Sequence, residues 1–319
     1  MSNSDIPLSI EDQISLMKSY VTFRQKTKMR RLLRKESYFR VSRYGKHLLS
    51  YTNILRSKPN QELLFELYDF DFALREIFFK YTQKAEIQIK NYIANAVSLY
   101  LNNSTFYLDP NSYTPTRGEK DRIKKQKNRK KFPKVLQNIK GSEINLIKEQ
   151  NKYPEFANYR TGGPRYRKRI PAWAAFMYFD FGTIEHIYAY LRLDLRKEVL
   201  RFGYPNSQRN FSKIDTQNMD TWIAAIRNLR NICSHHNKLV GKTSSVVHLD
   251  KTVDAPVLLP SDTDLFSRMY ALKKVLYTKD CEELKKDLQK LINQTKFNVY
   301  QFNILPQNWE TLYDNIHNL

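Results

Sequence analysis

From Gln61 to Leu101 the chain contains neither proline nor glycine. Apolar residues recur there mostly every three or four positions: Leu64, Leu67, Tyr68, Phe72, Leu74, Ile77, Phe78 and Tyr81, then Ile87, Ile89, Tyr92, Ile93 and Val97. This spacing predicts one very long helix or two in series. Upstream, Ser9 with Asp12 three positions on offers an N-cap, and Ile14, Leu16, Met17 and Tyr20 carry a helical pattern to about Lys35. In ESYFRVSRYGKHLLSY, Tyr38, Phe39, Tyr44 and Leu48 anchor a short helix or turn.

The pattern then changes. Residues 102–169 hold Pro110, Pro115, Pro133, Pro154, Pro164, the Gly162-Gly163 pair and the run RGEKDRIKKQKNRKKFPK. They read as a basic insertion or arm outside the core, with one helix near Leu136–Lys148. Helical periodicity resumes at IPAWAAFMYFDFGTIEHIYAYL, where Pro171 suits a first helical turn and Gly182 a cap before a second helix from Thr183. A helix from about Asp215 passes Trp222, Ile226 and Leu229 towards His235, and two more fit Asp262–Tyr277 and Lys279–Gln294. Strand signals are confined to the short VVHLD and FNVYQFNIL. The predicted class is all-α, a helical bundle with additional helices and a basic inserted segment. It divides into 1–101, 102–169 and 170–319, the first and last able to form one composite domain. Trp173, Trp222 and Trp309 are assigned to the core, and Glu86 and Glu185 read as isolated helix carboxylates.

Composition narrows the function. A chain of 319 residues with 13% aromatics can bury a sizeable core. It has only eight glycines and neither GxGxxG nor GxxxxGK[ST], which sets aside nucleotide binding through those frames. Two cysteines give no disulfide framework and a thin zinc supply. No run of eighteen apolar residues occurs, and the N-terminus lacks a signal-like pattern, so a cytoplasmic protein without a membrane partner is expected. Lys plus Arg is 54 against 32 for Asp plus Glu, a net charge of +22 with a pI near 9.8. Charge so large and so clustered points to a polyanion, and nucleic acid is the expected partner.

Chemistry concentrates in RNLRNICSHHNKLVGK, Arg227 to Lys242, which holds two of the six histidines side by side. Adjacent histidines on a helix point ~100° apart and do not easily share one ion, and HExxH is absent, so neither metal nor cofactor is expected. A Cys233–His236 nucleophilic pair has the spacing to touch, though a small buried cysteine is the commoner role. Scission of RNA through its 2′-OH needs a group that moves protons near neutral pH and a cation for the crowded phosphate. Histidine and arginine fit those roles. Arg230 and His235 are five apart, ~140° of rotation and ~7.5 Å of rise, so they flank a groove. Asn231, four before His235, lies where it can orient the imidazole. The alternative is a polar helix end whose side chains meet carbonyls and water.

The stretch Arg230-Asn231-Ile232-Cys233-Ser234-His235 resembles the R-x4-H motif of HEPN ribonucleases. RNICSHHNKL at 230–239, YFRVSRYGKHL at 38–48, LYDFDFALREI at 67–77, the polar helix Glu86–Asn91 and PAWAAFMYFDFG at 171–182 together resemble the Abi-like (AbiD/AbiF) abortive-infection family. That resemblance implies an α-helical HEPN-type fold and a phage-defence ribonuclease or toxin. Arg230 and His235 are then catalytic, Asn231 supports them, and His236 is a second histidine of possible support. Some relatives look like toxins neutralised by a small non-coding RNA. One motif makes half a site, so a homodimer is expected to bring two together.

RNA capture is assigned to Lys124, Lys125, Lys127, Arg129, Lys130 and Lys131 in the densest basic run, and to Arg165, Tyr166, Arg167, Lys168 and Arg169, where cations interleave with a stacking tyrosine. The rival reading is a non-catalytic protein that binds a dedicated structured RNA through the same charge.

Overall fold

The computed structural model describes residues 7–149, 151–159, 169–254 and 259–317. Among them the chain forms thirteen α-helices and no strand. Helix α1 (Ile10–Met17) starts as expected, with Ser9 Oγ accepting the Asp12 N–H at 3.2 Å. The helical pattern to Lys35 is broken, however. At Val21-Thr22 the backbone pairs instead with the entry to α5, Thr22 N–H to Pro59 O at 2.9 Å and Gln61 N–H to Thr22 O at 3.0 Å. The helix resumes as α2 (Thr27–Glu36), followed by α3 (Tyr38–Leu49) and the single turn α4 (Thr52–Leu55).

Helix α5 (Gln61–Leu101) is the spine: one uninterrupted helix of 41 residues, ~60 Å long at the standard rise. Asn60 caps it by accepting the Leu63 N–H at 2.8 Å, and Asn102 ends it in the left-handed region at φ +46°.

The described part of 102–169 departs furthest from expectation. Phe106, Tyr107 and Tyr113 are buried in short turns and packed edge-on against Phe176 and Phe179 or tilted against Phe132. Asp121 caps α6 (Arg122–Lys148), which begins well before the anticipated helix. Its lysine-rich first turns are good helix formers without apolar periodicity. Pro133 sits inside it. The face with Phe132, Ile139, Glu143 and Leu146 is buried, and the Glu143 carboxylate, fully enclosed, accepts from Ile170 N–H at 3.1 Å and Arg169 Nη1 at 2.9 Å. This segment thus contributes to the core, while its N-terminal turns project into solvent.

Helices α7 (Ala172–Tyr178), α8 (Phe181–Tyr190), α9 (Leu193–Gly203) and α10 (Lys213–Ser234) follow, then α11 (Leu265–Val275), α12 (Thr278–Gln294) and α13 (Trp309–Asp314). The spine packs against α3, α7, α9, α10, α11 and α12. Both strand-like stretches are loops, and VVHLD is held by Trp222 Nε1, which donates to His248 O at 2.8 Å. Trp222 and Trp309 are buried, but Trp173 is half exposed, as is Met177 one turn on. On so short a helix Ala172, Ala175 and Phe176 take the core side. No helix among the described residues is long and apolar enough to cross a membrane.

Candidate functional site: the end of helix α10

A capping box starts α10: Ser212 Oγ accepts the Asp215 N–H at 3.3 Å, and Asp215 Oδ2 accepts the Ser212 N–H at 2.6 Å. Met219, Trp222, Ile223, Ile226, Leu229 and Cys233 then face the interior. Arg227, Arg230, Asn231 and Ser234 are left half-buried along the flank.

The paired histidines are explained by how the helix stops. His235 is the C-cap, its N–H bonded to Asn231 O at 3.1 Å. His236 has φ +53°, its N–H bonds Cys233 O at 3.1 Å, and the Asn237 N–H bonds Ile232 O at 3.0 Å. These two bonds are the 5→2 and 6→1 pattern of a Schellman stop, whose left-handed position usually takes glycine or asparagine. His236 therefore turns the chain away and leaves the His235 ring exposed in the last turn.

The turned chain is fastened by Asp71, a fully buried carboxylate of α5. Its Oδ1 accepts from Leu239 N–H at 2.9 Å and Val240 N–H at 2.6 Å, and its Oδ2 from Tyr44 OH at 2.7 Å. Arg75 Nε lies 3.3 Å from Oδ2, while its Nη1 reaches Asn237 O at 3.4 Å. Burial raises the Asp71 carboxyl pKa, against the opposing pull of the Tyr44 hydroxyl, the Val240 N–H and Arg75. The sequence blocks 38–48, 67–77 and 230–239 meet at this one carboxylate.

Arg230 is not free. Its Nε lies 3.3 Å from Glu86 Oε2 of α5, and Glu86 Oε1 is 2.8 Å from Lys90 Nζ, with Glu86 and Lys90 both nearly enclosed. Glu86 is thus the counter-ion that aims the arginine, not an isolated carboxylate. Glu185 is likewise paired: Arg227, one turn before Arg230, forms an ion pair with it from α10. Burial raises the Glu185 carboxyl, opposed by Arg227 and Arg117. Asn231 Oδ1 accepts from Arg230 Nη1 at 3.4 Å, so its carbonyl oxygen meets the arginine rather than the His235 imidazole. The sequence signal available for Glu86 was Lys90 four positions on, an ion pair on one helix face. For Asp71 it was a carboxylate set among Phe70, Phe72 and Leu74 where the helical pattern turns inward.

Of the assigned RNA-binding cations, Lys124, Lys125, Lys127, Arg129 and Lys130 are exposed on the projecting part of α6. Lys131 also acts electrostatically on His186 of α8, whose pKa is lowered chiefly by burial and then by Arg227 and Arg117. Helix α6 packs on α8, and α8 packs on α10. Arg169 is tied to Glu143, and Arg165, Tyr166, Arg167 and Lys168 lie outside the described residues. Burial pushes the Cys233 thiol up to about 12, so at neutral pH it is a packed thiol and not a nucleophile. Among the described residues no three His, Cys, Asp or Glu side chains gather as a metal site would.

His47 of α3 backs the loop that follows the motif. Gly241 there has φ +70°, and a Cβ on it would lie 2.6 Å from His47 Cε1. Burial, with help from Lys238, lowers the His47 pKa to about 4. The unfolded chain takes up this proton near 6.5 and the folded chain does not, so the stabilisation is present above that value and lost as pH falls towards 4. Between pH 7 and 5 it amounts to about 2 kcal/mol. Urea unfolding is expected to show that loss in the wild type and a flatter profile in His47→Gln. Equal slopes would show that His47 does not carry the pH dependence.

An all-helical protein with an arginine–histidine helix end, locked from behind by a buried carboxylate, is the class these features define. A family model described as Abi-like protein matches residues 31–240, from within α2 to just past the Schellman stop, and the chain belongs to that family. The family associates it with abortive infection, a form of phage defence. No curated protein and no solved structure matches the chain.

Proposed function

We propose that this Abi-like protein is a HEPN-type, metal-independent endoribonuclease or toxin that acts as a homodimer, cuts RNA in phage defence and is held in check by a small non-coding RNA. In the reaction, the 2′-oxygen bonds to the adjacent phosphorus and the P–O5′ bond breaks. The products carry a 2′,3′-cyclic phosphate and a 5′-hydroxyl. His235 moves the proton, and Arg230, aimed by Glu86, stabilises the charge on the phosphate. The observation that carries this reading is the exposed His235 ring at the last turn of α10, on the helix whose flank holds the Glu86-paired Arg230. The test is the end chemistry of RNA exposed to wild-type and His235→Ala protein.

One observation favours a second reading, an RNA-binding protein that does not cut. Arg230 is already paired with Glu86, and the densest cations lie on α6 rather than at the motif. Both readings require RNA on α6. Engagement of roughly six to ten phosphates makes affinity fall ~10³–10⁵-fold between 50 and 200 mM salt. Replacing Lys124, Lys125 and Lys127 by Gln is expected to weaken binding across unrelated sequences and to reduce the log–log salt slope by about 1 for each phosphate no longer neutralised. Filter binding at several salt concentrations measures it, and an unchanged slope would take the basic helix out of the interface.

A further inference from the structure

Beside the motif, α5 and the end of α10 enclose a cavity of ≈ 340 Å³ that the chemistry above does not use. This is at the small end of ligand-pocket sizes, enough for one base and part of its sugar. Phe72 and Phe79 stand along its α5 side, the first 46% exposed and the second half-buried. Cys233, Ser234 and His236 close the α10 side, so the cavity adjoins the residue next to His235. Arg75 and Glu76 add a cation and a carboxylate group to the lining.

Arg75 is the unusual member. It is 4% exposed, its Nε faces Asp71 and its Nη1 donates to Asn237 O, yet its Nη2 is buried with no hydrogen-bond partner. A buried polar atom left unpaired is costly, and this one belongs to a residue that lines the cavity. The Phe72 ring covers the guanidinium, its centroid 5.6 Å from Cζ. Being half exposed, that ring has room to swing aside. Glu76 beside it is exposed and free to accept hydrogen bonds as a carboxylate.

We propose that this cavity is a base-binding subsite for a guanine flanking the scissile phosphate, an assignment that rests on the ribonuclease reading for its role in cleavage. Two phenyl rings supply the stacking surface by which single-stranded RNA bases are held. Guanine offers two adjacent acceptors, O6 and N7, to an arginine, and two adjacent donors, N1–H and N2–H, to a carboxylate. Adenine has a donor where guanine has O6. Pyrimidines leave part of the cavity empty. Arg75 thus has two tasks, holding Asp71 and reading the base, and the specificity it confers is coupled to the same ion pair that fastens the loop after His235.

The test is direct binding of the four nucleoside 3′-monophosphates to the full-length protein by calorimetry, in wild type, Phe72→Ala and Glu76→Gln. Both substituted residues are exposed, and unchanged melting temperatures confirm that both variants are folded. Guanosine 3′-monophosphate is expected to bind at least about tenfold more tightly than the other three, with about a tenfold loss in Phe72→Ala. Glu76→Gln is expected to erase most of the preference for guanine. Equal binding of all four nucleotides, or wild-type binding by Phe72→Ala, would overturn the subsite. The assay answers whether or not RNA is cut: guanine binding in a protein that never cleaves would sink the ribonuclease reading alone, and cleavage without guanine binding would sink the pocket alone.

Discussion

Replacing His235 by alanine is expected to lower RNA cleavage ~10²–10⁴-fold while leaving the melting temperature within about 1 °C of wild type. The rate loss is what removal of a general acid–base costs. The unchanged stability follows from position: the His235 ring is exposed, and only its backbone N–H takes part in ending α10. Surface substitutions of this kind stay within about 0.5 kcal/mol. His236→Gly is the matched control for stability alone, because glycine suits the left-handed position at φ +53° that His236 occupies. Single-turnover cleavage and thermal melting of the two variants measure both quantities. A His235→Ala protein that melts far below wild type would show the ring packing rather than reacting, and a fully active one would remove it from the chemistry.

The second large effect is on stability. Asp71→Ala is expected to cost about 3–5 kcal/mol, the range for removing one partner of a buried ion pair. It strands Arg75 without its carboxylate and leaves the Tyr44 hydroxyl and the Leu239 and Val240 N–H groups without their acceptor. Asp71→Asn keeps an oxygen for the two N–H groups but loses the charge and turns an amide NH2 towards Arg75 Nε and the Tyr44 hydroxyl, so its expected cost is smaller than that of alanine without vanishing. Urea unfolding monitored by circular dichroism ranks the two. Because Asp71 holds the chain just past His235, the asparagine variant should also lose cleavage out of proportion to its stability. Normal cleavage in a destabilised Asp71→Asn protein would show that the loop's position does not matter to the site.

The elements legible in the sequence are those whose apolar residues keep a helical period, chiefly α5 and α10, and those with a polar cap at the right offset, such as Ser9 before α1. The same rule explains the failures. Phe106, Tyr107 and Tyr113 have no period to follow; they are buried because turns aim them at Phe176, Phe179 and Phe132, and that packing is visible only in three dimensions. Trp173 reads as core by its size and sits half exposed because α7 offers its inner face to alanines and Phe176. At the site, Arg230 and His235 were legible as a spacing on one helix. The partners that give them their environment, Glu86 and Asp71, come from α5, and no local pattern ties one helix to another far along the chain.

If this helix end cuts RNA, the ends of the RNA bound to the protein carry the mark of that cleavage. The most direct measurement is to recover the RNA that accompanies the native protein and map its ends, comparing wild type with His235→Ala. A discrete RNA ending in 2′,3′-cyclic phosphate is expected with wild type, and the same RNA uncut with the variant. Identical intact RNA from both proteins would contradict it and leave an RNA-binding protein.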